Sequence, residues 1–193
     1  VTEDKLNNVY KNIRTCKTDE EFTKIAINKY GFSPKEVNSV DAFRSGVDGL
    51  IWLRPSNDAK TVSHEVDHGL GHMHYGKNSR GITEAITEKL ALKAHGISGP
   101  GNTGYKRNVQ HVLDLDKVLN KAGVYNADAI SYYNTREKYY YENVLNELAE
   151  SPKFYDSLKE AMDIADGWGP VRDKESVKKA NMQIEQLIQY LDE

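Results

Sequence analysis

Cysteine is nearly absent: Cys16 is the only one in 193 residues. A lone thiol cannot close an internal disulfide, and it excludes a cysteine-built zinc cluster. Long hydrophobic runs are missing too, and none approaches the roughly 20 residues that a membrane-spanning helix needs. There is no surplus of basic charge. The 26 Lys and Arg stand against 29 Asp and Glu, a formal net charge of −3. Without a positive field, no nucleic-acid partner is expected. No internal repeat or low-complexity tract is present, and no signal peptide is legible. The chain opens on Val1 rather than Met, which reads as a mature or trimmed end.

What is present is a charge-rich, tyrosine-rich composition and a length sufficient for one domain or two lobes with a true core. Leu6, Val9, Tyr10 and Ile13, then Phe22, Ile25 and Ala26, follow helical spacing over residues 3–29. Gly31 and Pro34 break that pattern. The short apolar run "LIWLRP", bounded by Gly49 and Pro55, predicts a strand, and part of 36–47 also has strand character. A helix is expected over 59–70, capped by Ser56, Asn57 or Asp58. Residues 76–81 predict a turn, and a second helix follows over 82–95, stopped by Gly96. The glycine-rich 96–104 reads as a loop and a candidate link between lobes. Helical patterns continue over 109–119, 127–149, 152–165 and 173–191. The expected class is therefore α+β and mostly α. An amino-terminal lobe would span residues 1–96, and a helical lobe 97–193, with both able to form one compact domain.

The chemistry concentrates in "VSHEVDHGLGHMHYGKNSRGITEAITEKLALKA", residues 62–94. It holds four of the six histidines. His64 and His68 are four apart, so on a helix they share a face one turn apart. Two imidazoles so placed suit one Zn²⁺, which favours His nitrogen. Glu65, beside His64, is positioned to accept a proton from an attacking water.

Two patterns compete to supply a third ligand. In the first, His64, Glu65, His68, Gly71 and His74 fall on H-E-x-x-H-x-x-G-x-x-H, which makes His74 the ligand. That arrangement resembles the metzincins, which also require a methionine turn beneath the site. The methionines away from the motif, Met162 and Met182, lie on expected helices. In the second, Glu84 and Glu88 sit four apart on the following helix. Two antiparallel helices would bring Glu84 to the histidine pair, with Glu88 accepting the free ring N–H of one ligand.

"KNSRGITEAITEKLA" after "HEVDH" resembles the thermolysin-type gluzincins, in which an Asn-Glu-Ala-x-x-Asp run follows H-E-x-x-H. Thr83 stands where that family has Asn, Glu88 stands where it has Asp, and the interval from His68 to Glu84 is a few residues shorter. The resemblance covers about residues 50–95. It implies a zincin-like fold with an edge strand beside the active helix, the strand being "LIWLRP". It also implies zinc held by His64, His68 and Glu84, with Glu65 as general base and Glu88 behind a ligand. The implied activity is hydrolysis of peptide bonds in a peptide or protein substrate, by an endopeptidase that is secreted or cell-surface.

Such a reaction needs a donor for the oxyanion, and Tyr105, next to the glycine-rich loop, is the first choice. His111 and the tyrosines of 131–133 and 138–141 are others. Two further readings stay open: a metzincin-like peptidase using His74, and a catalytically inactive metal-binding or effector module.

Overall fold

A computed structural model describes residues 1–71, 78–166 and 173–193. The chain divides into two compact units, Val1–Gly71 and His72–Glu193. It is mostly helical, with one three-stranded sheet among the described residues.

The first unit runs α1 (Glu3–Lys11), β1 (Ile13–Thr15), α2 (Asp19–Tyr30), α3 (Pro34–Val37), β2 (Ala42–Arg44), β3 (Ile51–Leu53) and α4 (Ala59–Leu70). Its core gathers around Phe43, whose ring meets Phe22 at 5.5 Å, Tyr30 at 5.3 Å and Phe32 at 4.8 Å. Cys16 belongs to the same cluster and is 2% exposed. Arg54 spans the layer. Its guanidinium lies over Phe22, and it donates to the carbonyls of Val40 at 2.9 Å and Val37 at 2.7 Å.

The strand order is β1-β3-β2, with β1 parallel and β2 antiparallel to β3. This corrects the expectation of "LIWLRP" as an edge strand: β3 is the middle one. Bonds leave it on both sides. Ile51 N–H donates to Asn12 O at 3.0 Å, and Leu53 O accepts from Cys16 N–H at 3.0 Å on the β1 side. Toward β2, Arg54 N–H donates to Asp41 O at 3.0 Å. Ile51 and Leu53 are both buried. Ile13, which helical spacing assigned to a helix, instead opens β1, because the parallel ladder to β3 outweighs local pattern.

α4 begins where capping chemistry places it. The Asp58 side chain accepts from Thr61 N–H at 2.6 Å, satisfying one of the orphan amides of the first turn. α1 packs on α4 so closely at Gly69 that a Cβ there would collide with the Val9 methyls.

The second unit contains α5 (Arg80–Ala94), α6 (Lys106–Lys121), α7 (Ala127–Tyr133), a 3₁₀ turn (Thr135–Glu137), α8 (Tyr140–Leu148), α9 (Phe154–Ala165) and α10 (Lys174–Asp192). The helical pattern over 127–149 is broken at Asn134, whose side chain accepts from Arg136 N–H at 3.0 Å. α5 packs against α6 and α9, and α10 covers both of them. The loop 96–104 therefore joins two helices of this unit. No described helix is long and apolar enough to cross a membrane.

α5 meets α9 at Gly81, where an added Cβ would overlap the Met162 carbonyl. Alanine is the better helix former by about 1 kcal/mol, so the two effects oppose one another. A backbone carbonyl cannot swing aside, and overpacking costs about 1–3 kcal/mol. Gly81→Ala is therefore expected to lower the melting temperature followed by circular dichroism. An unchanged or higher melting temperature would show that the two helices are not in close contact.

Candidate metal centre

α4 buries an unusually polar face. His64, Glu65 and His68 are among its four buried residues, with Leu70 the only apolar one. Burying such groups is costly unless they are matched, so a polar purpose for this face is expected. The helical turn does what the spacing predicts. The two imidazoles meet edge to face, ring centres 4.7 Å apart, and their Nε2 atoms are 3.0 Å apart.

That convergence tests whether the residues suit a metal. Two nitrogens bound tetrahedrally to one zinc at ordinary lengths lie roughly 3.3 Å apart. The observed pair is close to that separation, and at 3.0 Å the two ring nitrogens also meet as a hydrogen bond. Glu65 follows His64 on the same helix and is 7% exposed.

In the second unit, Glu84 and Glu88 occupy successive turns of α5. A solvated acidic stripe is ruled out: Glu88 is 1% exposed and the Glu84 side chain 15%. Arg80 Nη2 lies 3.9 Å from Glu84 Oε1, one turn earlier on the helix. The Arg80 Nε is 3.5 Å from Asp166 Oδ2, an ion pair rather than a close hydrogen bond. Burial pushes the Asp166 carboxyl up to about 6; Arg80 pulls it back, and the charges of Glu84 and Asp163 add to the push. Asp166 has no part in the sequence motif, and only its place after an amphipathic helix could have suggested it.

His64 and His68 offer two nitrogens that could hold a metal ion, Glu84 lies on α5 of the second unit, and nothing in these groups selects zinc specifically. His72 and His74 lie outside the described residues, so the H-E-x-x-H-x-x-G-x-x-H alternative cannot be followed beyond Gly71, which ends α4 in extended conformation. Met162 and Met182 lie on α9 and α10, as the sequence indicates.

The oxyanion candidates separate by what they touch. Tyr105 caps α6, half-buried, with its N–H on Thr103 Oγ1 at 3.2 Å. His111 is committed inside the second unit, where its Nε2 meets Asn181 Oδ1 at 2.8 Å. Tyr132 is core, its hydroxyl 2.7 Å from Thr87 Oγ1, and Tyr141 is wholly buried.

Compared with known proteins, the chain matches no family model, no curated protein and no solved structure.

The raised Asp166 carboxyl carries a pH signature. The folded state holds its proton more tightly than the unfolded state does. Its contribution to stability is therefore full below about pH 4 and is lost as pH rises through about 6. Asp166→Asn abolishes that dependence. Melting curves of the metal-free protein should show the wild type losing ground to the variant between those pH values. A difference that stays constant across the window would exclude the shift.

Proposed function

We propose that this chain is a zinc-dependent peptidase of gluzincin type, acting on peptide or protein substrates. The observation that carries it is the convergence of the His64 and His68 Nε2 atoms on one buried helix face, with Glu65 next in line. The burial of Glu84 and Glu88 adds support, because a merely solvated helix face would leave both exposed.

In this proposal His64, His68 and Glu84 hold the zinc. When bound, the ion supplies a Lewis acid for the scissile carbonyl and lowers the pKa of the attacking water. Glu65 takes that water's proton and delivers it to the leaving amine. Glu88 accepts a ring N–H from a ligand histidine, fixing its tautomer. Tyr105 donates its hydroxyl to the oxyanion. An extended substrate has no open side on β3, so the pairing role passes to an outer strand. β2 is the better placed of the two, because it packs against α4. Export or a cell-surface location goes with this proposal.

Zinc content and activity are separable by mutation. The purified parent is expected to hold one zinc per chain by elemental analysis, and His64→Ala and Glu84→Ala are expected to lose it, while His74→Ala keeps it. Glu65→Gln should retain the metal yet lose peptide hydrolysis by about 10²–10⁴-fold. Loss of zinc only in His74→Ala would transfer the third-ligand role to that histidine. A parent that takes up no zinc after reconstitution would end the metallopeptidase proposal. Unchanged turnover in Glu65→Gln would remove Glu65 as base.

A further inference from the structure

A cavity of about 310 Å³ opens inside the second unit, among α5, α6 and the segment between α6 and α7. Its size falls at the lower end of small-ligand sites. Leu90, Leu113, Leu119 and Val124 line its walls. Three charged side chains meet at its floor. Lys89 Nζ donates to Asp116 Oδ2 at 2.9 Å and forms a second ion pair with Asp128 Oδ2. Asp128, with its side chain 2% exposed, is completed by Ala129 N–H at 2.7 Å.

The three groups do not balance. Two carboxylates face one buried ammonium; Lys93, an exposed residue of the lining, brings the formal charge of the whole lining to zero, so the local surplus of acceptors lies at Asp116 rather than across the cavity. Burial draws the Lys89 ammonium below its usual pKa, Asp116 holds it up, and the charge of Lys93 adds to the lowering. Asp116 serves Lys89 with one oxygen only; its Oδ1 has no partner among the described residues. Its side chain is 29% exposed, which makes it the accessible member of the cluster. A buried ion cluster needs good geometry and further hydrogen bonds to repay its desolvation. This one is left beneath an apolar-walled space, with an acceptor to spare.

We propose that this cavity binds a small organic cation: a primary ammonium or guanidinium on a short apolar stem. The head would take the open oxygen of Asp116, and the stem would lie against Leu113 and Val124. A charge-assisted hydrogen bond supplies orientation, and the apolar walls supply most of the affinity. The cation can come from a free amine or from a lysine or arginine side chain of a peptide, since both present the same head and stem. The site is independent of the proposed zinc centre and uses none of its residues.

The test is a titration of the whole, metal-free protein, followed by amide chemical shifts. The probes are n-butylammonium, N-acetyl-lysine-methylamide and, as a control of opposite charge, butyrate. Saturable shifts around Leu113, Asp116 and Val124 are expected with the first two probes and not with butyrate. Tighter binding of the lysine amide would identify a peptide side chain as the source, and tighter binding of butylammonium a free amine. Asp116→Asn should weaken binding at least about tenfold, the worth of one hydrogen bond to a charged group. Should Asp116→Asn disturb folding by leaving Lys89 underpaired, Leu113→Trp fills the cavity with the ion cluster untouched and should abolish the shifts. Absence of saturable shifts, an Asp116→Asn protein that binds as the parent does, or butyrate binding as tightly as butylammonium would each overturn the proposal.

Discussion

The second unit is organised by the enclosure of α5. Ten of its 15 residues are buried, and they fall on nearly every side of the helix. A helix packed all round has no water to satisfy its polar residues, so each must find a partner inside the protein. Thr87 donates to the Thr83 carbonyl at 2.8 Å and meets Tyr132. Lys89 is matched by two aspartates from α6 and α7. The near-contact of Gly81 with the Met162 backbone sets how close α9 can come. Asn108 Nδ2 donates to that same carbonyl at 3.1 Å, joining α6 to the junction.

The first unit solves a different problem, that of starting one helix in the right place. Asp58 determines where α4 begins, and the helical repeat then carries His64 and His68 to one face without further instruction. This part was legible in the sequence because it is local. A cap, a spacing of four and a terminating glycine are written within 14 residues of chain, Asp58 to Gly71. The same locality explains why α5, α6, α9 and α10 could be read from apolar spacing.

What was not legible depends on neighbours. Nothing within "LIWLRP" distinguishes a middle strand from an outer one; that depends on whether Ile13–Thr15 and Ala42–Arg44 arrive on both sides. The break at Asn134 is a competition between a side-chain cap and helix continuation, which apolar spacing ignores. Nothing in the local sequence marks Lys89 as buried, because its partners come from residues 116 and 128, far along the chain. The burial of Glu88 is likewise a tertiary fact. In the proposed metal site, the histidines belong to one unit and the third ligand to the other. The local half of such a site is readable, and the remaining half rests on the resemblance.

Cys16 gives the first unit a built-in clock. The thiol is almost wholly enclosed, and burial and the nearby Glu21 raise its pKa while Arg54 opposes them. A thiol in that state resists alkylation as long as its surroundings hold. Its neighbours in the cluster are Phe22 and Phe43, so it becomes reactive only when the core around Phe43 opens. Because it is the sole cysteine of the chain, its labelling rate times the opening of that one unit, with no signal from the other.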